Sequence, residues 1–308
     1  MTTALGLISQ VLPFVLPMTM RRISTVSKHV RGEGDWEDGR LYLCNLWHSV
    51  FAKPRAASRI CTDERQYVPT TGQSWTTLPL LQQTHKATFH SEGELIGIGT
   101  DEKIGIGQRA LLVPSPSGNV LWDCISLVDE TMAELVNGLG GLSAIAISHP
   151  HFYTSMVEWS RAFDGIPVYL HEADREWVMR DDVCLRFWQG HTNEILPGLT
   201  LIRCGGHFPG ATVLHVPDLS RGNGAVLSGD ILQVLPDHSN LGFMRSYPNY
   251  IPLGAAAVTK IGDRMASCQF EAIYGAFWGA TILSDGRGVF ERSIARHLKW
   301  LETDTSDI

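Results

Sequence analysis

Three short apolar segments of the chain each end at or within a few residues of side chains that can bind a metal ion. The first, SAIAIS (143–148), precedes His149 and His151. Histidines at positions i and i+2 of an extended segment project to the same side, where both imidazoles can meet one ion. The second, LTLIRC (199–204), precedes His207 in a glycine-flanked turn. Glycine lets the backbone turn without obstruction, so this histidine can approach a shared ligand closely.

The third segment, AVLSGD (225–230), ends in Asp230. Each of these groups alone also fits an ordinary turn or a helix cap. Three of them in this order favour a functional site, because α/β folds gather their functional groups at the ends of strands. We therefore expect His149, His151 and His207 to converge on one metal ion.

Short β-type runs alternate with amphipathic stretches from Glu94 onward. Strands are predicted at 94–99, 110–116, 119–125, 143–148, 167–171, 199–204, 212–217, 225–230 and 272–277. Helices are predicted at 129–140, 154–163, 172–179, 254–267 and 289–302. Because the series begins with hairpins and then mixes strands with helices, it favours an α/β sandwich over a purely parallel sheet.

The composition narrows the class of protein and of substrate. The 308 residues, 44% of them hydrophobic, can bury a full core, which excludes disordered and fibrous classes. A net charge of −7 argues against a broad phosphate-binding surface, so we expect a small-molecule substrate and no nucleic acid. Six cysteines without a CxxC pair fit a reducing compartment and predict a cytoplasmic protein. The sequence leaves the oligomeric state open.

The chain begins with an apolar stretch at residues 4–18. This stretch contains two prolines, lacks a basic start and is shorter than the roughly 20 residues that span a bilayer. We therefore expect no membrane insertion and interpret residues 1–29 as a tail or a packed arm. A cleaved targeting segment is the alternative.

Four motifs in this order resemble those of the metallo-β-lactamase superfamily. They are the strand LLVPSPSGNVLWD ending in Asp123, the motif SHPHFYT with the first two histidines, the turn GGHFPG and the strand end SGD. The resemblance covers roughly residues 94–300 and implies a four-layered αβ/βα sandwich with the metal site at one edge. It also implies that Asp230 joins the three histidines as a ligand.

The chain departs from the superfamily pattern at the second metal. Tyr153 and Thr154 stand where the superfamily has an aspartate and a fourth histidine, and IYGAFWGA (273–280) offers no histidine at the last motif. A closer resemblance is to an uncharacterised branch in which the tyrosine is usual, on stretches such as CTDERQYVP (61–69) and FMRSYPN (243–249). The resemblance thus implies a single ion.

That branch carries a zinc-ribbon-like pair of CxxC knuckles near its N-terminus, where this chain keeps only Cys44 and Cys61. Two thiols do not close a structural zinc site, so we expect no metal there. We expect Trp47, Tyr67 and Trp75 to hold this region on the main domain. The predicted organisation is a tail (1–29), an irregular cap with a degenerate zinc-ribbon-like sequence (30–92) and a metallo-β-lactamase-like domain (93–308).

The resemblance implies a hydrolase with one zinc ion held by the three histidines and Asp230. In such a site a zinc-bound hydroxide attacks the carbonyl of an ester, a thioester, a lactone or a similar substrate. Because the usual aspartate base is missing, we expect Asp230 or solvent to take the proton. Tyr153 is the second candidate catalytic residue, which either hydrogen-bonds a substrate oxygen or a metal-bound hydroxide, or packs.

Two alternatives belong to other classes. His149, His207 and Asp230 also form a two-histidine, one-carboxylate set, which can hold Fe(II) for oxygen chemistry. The loss of second-metal ligands and of the ribbon instead fits a metal-poor binding protein without catalysis. The metal content of the purified protein discriminates among the three.

Overall fold

A computed structural model describes residues 74–303 without a gap and, before them, residues 30–31, 41–44, 49–51, 60, 62–66, 68 and 70. The first elements are β1 (Val30–Arg31), β2 (Leu41–Cys44), β3 (Ser49–Phe51), β4 (Ser74–Thr76) and helix α1 (Leu78–Thr84). The four strands form an antiparallel sheet in the order β1-β4-β2-β3. No helix in the described part of the chain is long and apolar enough to cross a membrane.

The predicted cap is therefore not wholly irregular. Its sheet forms because Leu43 and Trp75, 1% and 5% exposed, bury their side chains. Burial of Trp75 agrees with its expected packing role. The remaining predictions for the cap concern residues outside the described part of the chain, namely the Cys44 side chain, Trp47, Cys61 and Tyr67.

The first large sheet has seven strands. They are β5 (Ala87–Glu92), β6 (Leu95–Thr100), β7 (Ala110–Val113), β8 (Val120–Trp122), β9 (Ala144–Ala146), β10 (Val168–His171) and β11 (Leu185–Trp188). Strands β5 to β8 are antiparallel neighbours, and β8 to β11 are parallel. Parallel neighbours need crossover connections, which the chain supplies as α2 (Glu130–Gly138), α3 (Met156–Ala162) and the 3₁₀ helices at Pro150–Phe152 and Glu172–Trp177.

The predicted domain boundary at 92/93 needs correction. Strand β5, assigned to the cap from sequence, pairs with β6 over all six of its residues. The boundary would cut this hairpin at its turn, where Gly93 has a positive φ of 61°. The hairpin therefore belongs to the large sheet.

The rest of the chain forms a second large sheet and its helices. In chain order the elements are β12 (Thr192–Leu196), β13 (Leu199–Arg203), β14 (Thr212–Val216), α4 (Leu219–Gly222), β15 (Ala225–Gly229), β16 (Gln233–Val234), β17 (Leu241–Gly242), β18 (Met244–Ser246), β19 (Ile251–Pro252), α5 (Ala255–Arg264), β20 (Ala272–Gly275), β21 (Thr281–Ile282) and α6 (Gly286–Glu302). The sheet order is β12-β13-β14-β15-β20-β21, with β15 and β20 parallel.

Two hydrophobic clusters show how the layers stack. One cluster contains Leu111 and Trp122 of the first sheet together with Leu214 and Leu227 of the second, so it lies between the sheets. The other contains Met132 and Trp159 from α2 and α3 with the opposite faces of the strands, and residues of α5 and α6 on the second sheet. Successive strand residues point to opposite faces, which supplies both layers. The predicted four-layered αβ/βα sandwich is confirmed.

Candidate metal centre

The ends of strands from both large sheets meet at one edge of the sandwich. His149 lies three residues beyond the end of β9, and Asp230 directly follows β15. The two segments are in contact, since a Cβ on Gly229 would collide with the Ser148 side chain. Gly229 also has a φ of +51°, a conformation that glycine tolerates best. Glycine at this position thus lets the two sheets bring their polar ends together.

The structure brings together the four side chains singled out from sequence. His149 Nε2 lies 3.5 Å and His151 Nδ1 3.8 Å from Asp230 Oδ2. His207 Nε2 lies 3.4 Å from His151 Nδ1. One potential ligand atom from each residue falls within 4.8 Å of the other three, and all four residues are buried. These distances are short enough for the four to share one ion.

Neighbouring groups fix how the imidazoles point. His207 Nδ1 donates to the Met244 carbonyl at 3.0 Å, because a carbonyl oxygen only accepts. Its Nε2 is therefore a lone-pair acceptor that faces the cluster. A hydrogen bond of 2.8 Å joins Ser148 Oγ to His149 Nδ1, which leaves His149 Nε2 toward the cluster. Partners of this kind orient metal-binding histidines and raise their basicity.

Asp123, the aspartate of the opening motif, acts on the backbone of the same segment. Its carboxylate accepts a hydrogen bond of 2.7 Å from the Ser148 N–H. The residue is buried, and its φ of +62° turns the chain sharply at the end of β8. Burial raises the pKa of Asp123 to about 8. The carboxyl group therefore supports the segment that carries His149.

The protonation states of the clustered side chains favour the binding of a metal ion. Burial lowers the pKa of His151 to about 4, and burial together with the neighbouring histidines lowers the pKa of His207 well below its usual range. Burial alone would raise the pKa of Asp230, but the contacts from His149 and His151 outweigh it and lower this pKa. His151 and His207 thus present neutral imidazoles and Asp230 an ionised carboxylate, which is the form in which these groups bind metal.

Two buried atoms of the cluster test whether a metal fits. His149 Nε2 and Asp230 Oδ1 have no hydrogen-bond partner among the described residues. A buried polar atom without a partner costs on the order of 1–3 kcal/mol. An ion among the four side chains would give His149 Nε2 the partner that it lacks among the described residues. The donor set of three imidazoles and one carboxylate suits zinc.

Aromatic side chains enclose the cluster. The Phe208 ring lies 5.6 Å from His149, 5.0 Å from His151 and 5.3 Å from His207, measured between ring centroids. Tyr247 donates its hydroxyl to the Asp230 carbonyl at 2.9 Å. An apolar shell of this kind limits solvent access and strengthens interactions between a metal and its ligands.

Tyr153, the other predicted catalytic residue, lies in the hydrophobic cluster that backs the first sheet and is 5% exposed. Its hydroxyl makes no hydrogen bond to the four cluster residues or to any other described residue. Burial raises the pKa of this phenol well above its usual value, so the hydroxyl stays protonated. The position fits the packing role, and a catalytic role for Tyr153 stays a prediction.

The residues that support the ligands leave almost no pattern in the sequence. Arg65 donates to the His207 carbonyl from 142 positions away in the chain. Ser148 and the Met244 carbonyl hold His149 and His207. The position of Ser148 next to His149 was the one available signal, since a backbone carbonyl or a distant arginine leaves no local pattern.

Comparison with known proteins places the chain. No family model matches it. It is 40% identical over 269 residues to the uncharacterised protein YmaE of Bacillus subtilis (strain 168), an alignment that spans 85% of this chain and 97% of YmaE.

Solved structures match with low sequence identity. The metallo-β-lactamase FIM-1 from Pseudomonas aeruginosa, in its mono-zinc form, matches with a TM-score of 0.51 at 17% identity, over 70% of this chain and 97% of that one. The metallo-β-lactamase DIM-1 gives a TM-score of 0.51 at 11% identity, over 68% and 96%. At such identities a match concerns the fold. The chain therefore belongs to the family of YmaE and has the metallo-β-lactamase fold.

Proposed function

We propose that the protein is a metal-dependent hydrolase that holds one zinc ion with His149, His151, His207 and Asp230. The observation that carries the proposal is the buried convergence of four ligand atoms within 4.8 Å. Two further atoms of these residues are buried without a hydrogen-bond partner among the described residues. Unpartnered buried atoms at the point where four potential ligands converge support a site for a group that the side chains themselves do not supply.

The donor set favours zinc over the iron alternative. A two-histidine, one-carboxylate iron site needs only His149, His207 and Asp230. Here His151 Nδ1 is as close to the cluster as the others, 3.4 Å from His207 Nε2. A third imidazole at this distance supports a closed zinc-type set. Among the described residues, these four also form the sole group of three or more potential ligands, which supports a single ion.

The residues of the site divide the work of a hydrolysis. When bound, zinc polarises a substrate carbonyl and lowers the pKa of water toward 7. Asp230 Oδ1, which has no partner among the described residues, can accept the proton that the nucleophilic water loses. Phe208 and Tyr247 keep bulk water away from the imidazoles. Esters, thioesters and lactones are small molecules whose carbonyls suit this chemistry.

Elemental analysis combined with a substrate panel tests the proposal. Protein purified without added metal, and again after zinc or iron is supplied, is assayed for metal content and for hydrolysis of ester, thioester and lactone substrates. We expect about one zinc per chain and zinc-dependent hydrolysis of one of these classes. Iron with oxygen consumption would support the oxygenase alternative. Absence of bound metal, with no thermal stabilisation by either ion, would support a binding protein.

A further inference from the structure

The described N-terminal residues Asp63–Gln66 contact both loops that hold His207. Arg65 Nη1 donates to the His207 carbonyl at 3.0 Å. Ser246 Oγ donates to the Arg65 carbonyl at 2.7 Å, two residues beyond the Met244 carbonyl that accepts from His207 Nδ1. The backbone and the imidazole of one potential ligand are therefore tied to the same short segment.

Further hydrogen bonds join the N-terminal segment to residues 245–249, the stretch that also contains Ser246. Asn249 Nδ2 donates to the Glu64 carbonyl at 2.9 Å, and its backbone N–H donates to Ser246 Oγ at 3.1 Å. The Arg245 guanidinium, Nε at 2.8 Å, bonds to the Glu64 carboxylate. Loop 244–249 and the N-terminal segment thus form one hydrogen-bonded unit beside the metal centre.

The Arg65 side chain is held in one place. Its guanidinium lies 3.8 Å above the centroid of the Phe208 ring, the same ring that touches all three histidines. Asp63 accepts from Arg65 Nε at 2.7 Å and from Nη2 at 2.9 Å. The side chain is only 6% exposed. A buried charge with a planar, bidentate partner has little freedom to move.

The turn that carries His207 needs an external support. Gly205 and Gly206 precede His207 and have φ values of 75° and 82°. Two consecutive glycines make a turn with more conformational freedom than any other pair of residues. The hydrogen bond from Arg65 to the His207 carbonyl restrains the turn at the residue that would bind the metal.

We propose that Arg65 is a positioning residue of the metal centre, through which the N-terminal segment Asp63–Gln66 sets the affinity of the site. This inference rests on the metal site of the proposed function. By thermodynamic reciprocity, zinc at the site in turn stabilises the N-terminal segment.

The experiment compares Arg65→Met with a matched control, Arg180→Met, in the full chain. Arg180 is also a buried arginine, 5% exposed, and its bidentate carboxylate partner is Glu158 of α3 rather than a residue of the metal centre. Zinc affinity is measured by competition with a chelator, and the absorption spectrum of the Co(II)-substituted protein reports the geometry of the site.

We expect Arg65→Met to bind zinc about 10- to 100-fold more weakly, as is typical for loss of a group that orients a ligand, and to change the Co(II) spectrum. Arg180→Met should lose thermal stability but keep wild-type affinity and spectrum. In the wild type, zinc should slow hydrogen exchange of the amides in 62–66. If Arg65→Met does not fold, Asp63→Asn, which frees the guanidinium, should weaken zinc binding in the same direction by a smaller factor.

Wild-type affinity and an unchanged spectrum in Arg65→Met would overturn this inference and leave the proposed function standing, and the same holds for Asp63→Asn if that variant is needed. A wild type that binds no zinc, iron or cobalt would overturn both.

Discussion

Two adjacent parallel strands end at the same edge of the second sheet and lead to opposite outcomes. Strand β15 is followed by Asp230, whose buried Oδ1 has no partner among the described residues. Strand β20 is followed by Ala276 and Phe277, which pack in a hydrophobic cluster, and by Trp278, which packs on β6. The Ala276 carbonyl accepts from the Arg109 N–H at 3.0 Å. The end of β15 thus presents an unpartnered carboxylate oxygen, whereas the end of β20 makes internal contacts.

The packing of the residues after β20 explains why strand β6 contains two glycines, Gly97 and Gly99. Cβ atoms on Gly97 and Gly99 would each lie 2.5 Å from the Trp278 ring. Glycine at these two positions of β6 therefore lets the indole approach the backbone closely. This loop is the place where the superfamily pattern has its last histidine, and here a tryptophan anchors it.

Removal of the Asp230 charge at the end of β15 should have the largest effect on the metal centre. Asp230→Asn keeps the size and one acceptor oxygen of the side chain but removes its charge. Zinc should bind more weakly, and turnover at saturating zinc should fall by about 10²–10⁴-fold, as is typical for loss of a general base. Turnover and zinc content of the same preparations measure the effect.

Tyr153→Phe is the control for this prediction. It removes only a hydroxyl that makes no hydrogen bond to a described residue, so zinc content should stay at the wild-type level. If Asp230→Asn turns over substrate at nearly the wild-type rate while Tyr153→Phe is inactive, the proton-transfer role belongs to Tyr153.

The next effect concerns the imidazoles. Four-ligand structural zinc sites are worth roughly 10–16 kcal/mol, so one ligand contributes on the order of 3 kcal/mol. His149→Ala should therefore weaken zinc binding by about 10²-fold, measured by chelator competition. His171→Ala is a matched control, since His171 is also a buried histidine at a strand end. His171 Nδ1 accepts a hydrogen bond from the Ala173 N–H and so caps the 3₁₀ helix at Glu172–Trp177. The zinc affinity of His171→Ala should therefore not change. Equal losses in both variants would contradict the assignment.

The sequence predicted the strands that carry the site because their apolar runs are short and sharply ended. It missed β12 (TNEIL), an edge strand whose first three residues are polar and largely open to solvent. It also predicted a helix at 172–179, where the structure has a 3₁₀ helix at Glu172–Trp177. The four clustered residues were predictable as strand-end groups. Arg65 was not, since its contact with His207 depends on tertiary structure alone.

Removal of the Trp278 side chain after β20 should have a smaller effect, and this effect should fall on stability. Trp278→Ala removes the indole from the glycine surface of β6 and from its edge contact with His90. Because the indole is half-buried, the free energy of unfolding should fall by about 2 kcal/mol, less than for a fully buried tryptophan. Zinc stoichiometry should stay at its wild-type value. Denaturant unfolding and metal analysis check the two halves, and a loss of zinc without a loss of stability would give this loop a role at the metal centre.

A second buried carboxylate shows that burial and an unpartnered oxygen do not by themselves make a metal site. Asp174 Oδ2, like Asp230 Oδ1, is buried without a hydrogen-bond partner among the described residues. Burial raises the pKa of Asp174 to about 7, against the hydrogen bond from the Gly210 N–H and the charges of Arg65 and Arg203. Asp230 differs because imidazoles face it, and these lower its pKa.

A prediction about the pH dependence of stability follows from this contrast. The pKa of Asp174 is higher in the folded protein, about 7, than the ordinary value of 3.8, so the folded state binds the proton more tightly. Its contribution to stability is therefore fully present below about pH 4, is lost as the pH rises toward 7, and stays lost above that. In the Asp174→Asn variant this side chain cannot ionise, so the stability of the variant should depend less on pH across this window. At pH 8 the variant should be more stable than the wild type, because it buries no charge there.

The Asp182→Asn variant is the control, in which the change in stability should have the opposite sign. Burial acts to raise the pKa of Asp182, but hydrogen bonds with Cys184 and Arg161 outweigh it and lower the pKa, so this variant should lose stability at pH 8. Denaturant titrations at pH 5 and pH 8 measure both, and an Asp174→Asn variant with the wild-type pH dependence would show that Asp174 is ionised in the folded protein.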